Sequence, residues 1–428
     1  MSEKILYALY ELIYSKTPSD VYSGWTSILG DYSEYSIQTC LDEGTNILLN
    51  DKLQKILNRE ATYFEPYFQS SNFYFLSKSV FEEMKNAGLG SYTFTIDHSV
   101  SFDSNFTRYI NDFLNDSSKV TTDYRFYNTI DILLKEDINY DYYFYLLENY
   151  ENVYLAKGKD KKTREDDIGK FYKNLVNLEL FKSIDKNIYK STGKIEFTIS
   201  ESEAYIFADE IINGFYNSHR GKEVLESTIV QKKILMVMII GMLIVGMKSK
   251  KSAKNKMPDF IKYCYDEIGI FYERESRIAF DYFENKGHYQ IFKYIQRGKS
   301  HPQLKKEISN IAWDFQATRV MERFIIDNDK AEFSIPVFLT FDENLRKVLG
   351  KFKAKGVVIN KKESSIVPYT NSSSIDFFNK KGCSTVLDIF QDPNNKKERV
   401  MRFNENKKKI DKIIDEKICE LYSIINRA

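Results

Sequence analysis

The sequence predicts a helix-rich α/β fold, and three observations carry that prediction. Most segments repeat apolar residues at helical spacing, as in EKILYALYELIY near the start and SNIAWDFQATRVMERFI at 309–325. Between them lie short runs of strand composition: YTFTI at 92–96, IPVFL at 335–339 and GVVIN at 356–360. Two of these runs lead to an aspartate, Asp97 and Asp342, just ahead of a helical pattern. Open α/β sheets place their ligand-facing groups at such carboxyl ends of strands.

A chain of 428 residues, 43% hydrophobic and 29% charged, is globular and long enough for about two or three folding units. The 31 Tyr and 31 Phe predict large aromatic cores. A net charge of +1 provides no global attraction to nucleic acid or membrane, so any such contact must come from local patches. The four cysteines, Cys40, Cys264, Cys383 and Cys419, have neither zinc nor redox spacing and read as buried thiols of a reducing, cytoplasmic compartment. The opening MSEKILYALYELIY lacks the apolar core of a signal peptide.

In chain order, residues 1–90 read as mostly helical and stop at Gly88-Leu89-Gly90. The strand over 92–97 follows, then a helix capped by Asp103 or Ser104 with Phe106, Ile110, Phe113 and Leu114 on one face. Residues 124–154 are helical and aromatic, and the charged run 155–167 reads as an exposed loop. From 168 to 300 the pattern is helical again. Its fourteen-residue apolar stretch, 234–247, spans only ~21 Å as a helix, short of a ~30 Å bilayer core. A buried central helix is the favoured reading over a membrane segment. The run MKSKKSAKNK at 247–256 carries five lysines and no acid, fitting either a phosphate-contacting patch or a solvated loop. The final helix places Ile410, Ile414, Ile418, Leu421 and Ile425 on one side, as intrachain packing.

Metal-assisted hydrolysis of a phosphodiester needs carboxylates converging on hard divalent cations. Asp97 at a strand end, Asp314 on the edge of an apolar helical stripe and Asp342 after an apolar strand suit that chemistry. An acid on an inner stripe is costly unless it is paired or binds a cation. The order of strand with Asp97-His98-Ser99, helix with Trp313-Asp314-Phe315, and strand with Leu339-Thr340-Phe341-Asp342 resembles the PIN-like nuclease superfamily. That family's first motif is an Asp closing a strand, often followed after one residue by Ser or Asn, here Asp97 and Ser99. Its late motifs are an Asp on a helix and an Asp after an apolar strand, often preceded by Thr, here Asp314 and Thr340/Asp342.

The resemblance covers roughly 90–150 and 300–360. It implies a three-layer α/β/α core with a parallel sheet, formed by 91–154 and 301–360. A helical insertion (155–300), an N-terminal helical region (1–90) and a C-terminal extension (361–428) would surround it. It implies Mg²⁺ or Mn²⁺ held by Asp97, Asp314 and Asp342, with Glu148 as the acid from an intermediate helix. Glu203 and Glu273 compete for that last position. Asp103 and Glu322 are further candidate ligands, with capping and solvation the stronger readings. Arg346, Lys347 and Ser99 would contact nucleic acid, RNA in preference. A toxin-like or antiviral-defence nuclease restrained by a regulatory protein partner fits the same resemblance.

Each residue also has a plain structural role. Asp97 suits a turn, Asp314 a pair with Arg319 or Lys305, Asp342 a helix cap, and Glu148 the surface. The sequence contains no GxxxxGK[ST], GxGxxG or HExxH, which leaves nucleotide-triphosphate hydrolysis, dinucleotide binding and zinc proteolysis without support. The rival expectation is a non-catalytic scaffold that leaves its acids dispersed or paired with Arg and Lys. A membrane-associated effector using 234–247 is a weaker third.

Overall fold

The computed structural model describes residues 3–28, 32–88, 90–116, 123–136, 138–153, 160–285, 289–327, 330–351 and 353–427. The chain is helix-rich with mixed sheets, and it divides into two units. The first comprises Met1–Val224 and Thr318–Asn371, the second Leu225–Ala317 and Ser372–Ala428.

All eight strands among the described residues belong to the first unit: β1 (Tyr35–Cys40), β2 (Phe64–Pro66), β3 (Phe73–Leu76), β4 (Ile96–Phe102), β5 (Tyr140–Asp141), β6 (Phe333–Leu339), β7 (Gly356–Asn360) and β8 (Ser365–Tyr369). They form two four-stranded sheets, in the orders β3-β1-β7-β8 and β2-β6-β4-β5. The first sheet is antiparallel throughout. Gly356 lets β7 pack closely there, because a Cβ at that position would lie 2.4 Å from the Tyr369 hydroxyl. In the second sheet β4 runs parallel to both β6 and β5, and β2 closes the edge antiparallel to β6. Every residue of β6 is buried, as its unbroken apolar run requires of a strand covered on both faces.

The parallel sheet expected from the sequence is therefore three parallel strands with an antiparallel edge, and a second, antiparallel sheet stands beside it in the same unit. Residues 1–90 are not a separate helical region. They supply β1, β2 and β3, and β1 is zipped to β7 from Tyr35↔Asn360 to Thr39↔Gly356. The strand expected over 92–97 runs instead from Ile96 to Phe102. Val100 and Phe102 are buried, but so are Ser99 and Ser101, and these serines break up the apolar run that would mark a buried strand. The charged run is not a loop from 160 onward. Asp160 accepts a hydrogen bond from the Thr163 amide and caps the helix Lys161–Lys182. Residues 154–159 and Leu89 lie outside the described residues.

The second unit has only helical elements among its described residues. The apolar stretch 234–247 lies in the helix His219–Lys248, which crosses the boundary between the units in sequence. By length and composition that helix could cross a membrane, yet 72% of its most apolar window is buried inside the protein. Its neighbour in the second unit is the helix Ala253–Glu267, whose Tyr263 hydroxyl donates to the Val237 carbonyl at 3.2 Å. Gly241 makes room for that ring, since a Cβ there would sit 2.2 Å from it. The final helix, Ile410–Arg427, buries Ile410, Ile414, Ile418, Leu421 and Ile425, as its spacing predicts.

Candidate functional site

The parallel register of β4 and β6 ends at Phe102↔Leu339, and both strands then turn into helices. The Asp103 amide donates to the Leu339 carbonyl at 3.0 Å, which extends the ladder by one step and brings Asp103 level with Thr340. The Thr340 hydroxyl donates to Asp103 Oδ2 at 2.7 Å. The same hydroxyl accepts from the Asp342 amide at 3.0 Å. Thr340 is fully buried and ties the two acids into one structure.

Each acid also heads a helix. Asp103 accepts from the Asn105 amide at 3.4 Å and the Asn105 side chain at 3.2 Å, where the helix Ser104–Asp116 begins. Asp342 Oδ1 accepts from the amides of Asn344 at 2.7 Å and Leu345 at 3.2 Å, capping the helix Glu343–Lys351. Phe341, between Thr340 and Asp342, is wedged among Tyr63, Tyr109, Phe126 and Phe106, with ring centroids 4.6–5.7 Å away. This aromatic cluster fixes the turn that carries Asp342.

Asp103 is almost fully buried. Burial pushes its carboxyl up, the hydrogen bonds from Thr340 and Asn105 oppose that, and the charge of Asp342 adds to the rise. A cation between the two acids would relieve the cost of keeping both ionised. β5 contributes a third acid on this side of the sheet. Asp141 lies opposite Ser101 and accepts from Ser99 at 2.8 Å, Ser101 at 3.1 Å and the Tyr143 amide at 2.7 Å. Burial raises its carboxyl to about 6 against those bonds.

Nearby charges are balanced internally. Glu343 is shared by Arg125 at 2.9 Å and Arg346 at 3.2 Å. Arg125 lies over the Tyr63 ring, 4.5 Å from its centroid, and its hydrogen bond is the main cause that lowers Asp123 to about 2. Among the described residues, no group of three or more His, Cys, Asp or Glu side chains converges to hold a metal ion. Asp103 and Asp342 still suit Mg²⁺, which commonly takes one or two carboxylates and completes its shell with water and substrate phosphate.

The expected site residues are not gathered here as a set. Asp97 sits near the start of β4, paired with Ser334, five residues or about 17 Å of strand before Phe102. It occupies the amino end of the strand because β4 starts four residues later than the alternation at 92–96 suggests. Ser99 is spent on Asp141 and is buried. Glu148 lies on the helix Tyr143–Val153, with its Oε2 buried. Asp314, on the helix His301–Ile326, falls in the second unit, whereas Asp97, Glu148 and Asp342 belong to the first. Arg346 cannot meet a phosphate, because it is buried and donates to Glu65 Oε1 at 2.8 Å and to the carbonyls of Arg59 and Thr62. Lys347, the next residue, is exposed. Asp342 is where the sequence leads one to expect it, at the carboxyl end of β6.

Sequence reasoning gave Asp103 a secondary part and passed over Asp141. The signal for Asp103 is present: the chain reads Phe102-Asp103-Ser104-Asn105, an acid after a buried aromatic with a cap-like pair behind it. Asp141 has no such signal, since its strand is two residues long. No family model, no curated protein and no solved structure matches this chain.

Proposed function

We propose that the carboxyl edge of β4 and β6 is the active site of a PIN-like, metal-dependent nuclease acting on phosphodiester bonds, RNA in preference. The observation that carries this reading is the union of Asp103 and Asp342 through Thr340 at the ends of neighbouring parallel strands. In this reading Asp103, followed after one residue by Asn105, takes the place in the family pattern that the sequence offers to Asp97 and Ser99. Asp103 and Asp342 would hold Mg²⁺ or Mn²⁺, which when bound supplies Lewis-acid stabilisation and an activated water. The chain's own part is to fix the two carboxylates, through the Thr340 hydroxyl and the two helix starts. A toxin-like or antiviral-defence setting, with a restraining partner, stays within the same proposal.

The test is cleavage of labelled single-stranded RNA, tRNA and DNA with Mg²⁺ or Mn²⁺ by the wild type, Asp103→Asn and Asp342→Asn. The expected result is metal-dependent cutting that falls by about a hundredfold or more in each variant, as for loss of a transition-state charge partner. Cutting that both variants retain, or none by the wild type, overturns the proposal. The second reading, a non-catalytic interaction module, then leads. One observation favours it already: Asp97, Glu148 and Asp314 do not join Asp342 in a metal-holding group among the described residues.

A further inference from the structure

The lysine run 247–256 is not an isolated strip. Within the second unit the turn after the helix Ser374–Lys380 packs against it. The Cys383 thiol donates to the Lys254 carbonyl at 3.7 Å, and a Cβ at Gly382 would lie 3.9 Å from Lys254 Cδ. The turn that follows Lys380 and Lys381 therefore lies against Lys254, within six residues of Lys248, Lys250 and Lys251 in the same run. Lys256 turns inward instead and donates to the Gly246 carbonyl at 2.8 Å. Glu420 pairs with Lys248, Asp259 with Lys251 and Glu284 with Lys381, and Asp376 on the helix Ser374–Lys380 is a fourth acid beside the six surface lysines. Lys250, Lys254 and Lys380 are exposed and enter none of the ion pairs found among the described residues. A local excess of positive charge thus stands out in a chain whose net charge is +1.

We infer that this patch docks the phosphate backbone of a nucleic acid, a binding activity of the second unit in its own right, additional to the function proposed above. Flexible lysines act as point charges on phosphates and release condensed counterions, a sequence-independent contact. The exposed apolar side chains at its margin are Met247 and Ile375, with no exposed aromatic ring among 247–256 or 374–383 to stack on bases. Binding through this patch therefore follows backbone charge and not base identity.

The experiment measures anisotropy of a labelled single-stranded RNA and of a DNA duplex, in EDTA, from about 50 mM to about 200 mM salt. It compares the full-length wild type with the triple variant Lys250→Gln/Lys254→Gln/Lys380→Gln. The expected result is binding that weakens at least ~10-fold in the triple variant and a salt slope shallower by about 2–3, one step per lost phosphate contact. The three lysines are exposed, so circular dichroism should find the triple variant folded. Unchanged affinity and slope in the triple variant overturn the inference. So does a wild type that ignores nucleic acid, or that prefers phosphatidylserine-containing vesicles. Binding without any metal-dependent cutting removes the nuclease reading and leaves the patch. Cutting by the wild type with unchanged binding by the triple variant does the reverse.

Discussion

Replacing Glu65 by Ala should destabilise the first unit by about 3–5 kcal/mol, the usual result of removing one partner from a buried ion pair. Glu65, in β2, is fully buried. Its Oε1 accepts from Arg346 Nε at 2.8 Å and Arg59 Nε at 2.6 Å, and its Oε2 lies 3.5 Å from Lys353 Nζ. The three cations are not equal. The Arg59 side chain is 38% exposed, so solvent screens its share to less than ~1 kcal/mol. Arg346, 4% exposed, would lose its buried counter-charge and keep only the longer 3.2 Å pair with the more exposed Glu343 and its bonds to the Arg59 and Thr62 carbonyls. Lys353 is already lowered by burial against the pull of Glu65, and losing that partner would favour its neutral form further. Urea unfolding followed by circular dichroism measures the loss. At a slope of about 3 kcal/mol/M, the midpoint should fall by roughly 1 M or more. The double variant Glu65→Leu/Arg346→Met should recover part of that, because it removes both charges together. A loss below about 1 kcal/mol in Glu65→Ala, or a double variant worse than the single one, would refute the reasoning.

Further expectations rest on other parts of the fold. Asp141 is raised from 3.8 to about 6, so between those values the folded state holds a proton that the unfolded state has released. Stability from this site is therefore full below about pH 4 and declines as pH rises to about 6, by about 3 kcal/mol in all. Comparing Asp141→Asn with the wild type across that window should reveal a steeper fall in stability for the wild type, the difference being the share of Asp141. Gly241→Ala would drive a methyl into the Tyr263 ring, 2.2 Å away, and should lower stability by about 1–3 kcal/mol in thermal unfolding. Wild-type melting in that variant would mean the helix His219–Lys248 is not held against Tyr263.

What was legible in the sequence tracks how strongly local pattern and burial agree. The helices at 309–325 and 410–425 fall within observed helices, because their apolar residues share one face and that face is buried. β6 and β7 were legible as unbroken apolar runs. β1, β2, β3 and β8 were not, since each is six residues or fewer and mixes polar with apolar side chains or sits beside helix-like text. Gln38 in β1 illustrates the difficulty: it reads as a surface residue, yet it is buried and donates to the Ser334 carbonyl at 2.8 Å. Long-range pairing decides such segments, and a local pattern carries no trace of it. The site suffered from the same limit. Whether Asp97 or Asp103 closes β4 depends on the register with β6, which is set by Ile96↔Phe333 through Phe102↔Leu339 and not by the residues around either acid. Arg346 was misassigned for a related reason, because its partner Glu65 lies 281 positions away.

Asp342 brings the two explanations of an acid at a strand end into one residue. As a cap it uses Oδ1, which receives both amides, and the described hydrogen bonds leave Oδ2 out of the cap. A carboxylate has lone pairs enough for two amides and a cation, so capping does not compete with metal binding. Capping instead holds the side chain in one rotamer, which lowers the entropy lost when an ion or a phosphate arrives. Asparagine caps about as well as aspartate. Asp342→Asn should therefore keep the helix Glu343–Lys351 in place while it removes the charge, and its melting temperature should stay close to the wild type's. If activity and melting temperature fall together in that variant, the carboxylate is chiefly structural. If activity alone falls, the edge of β4 and β6 is where the chemistry happens.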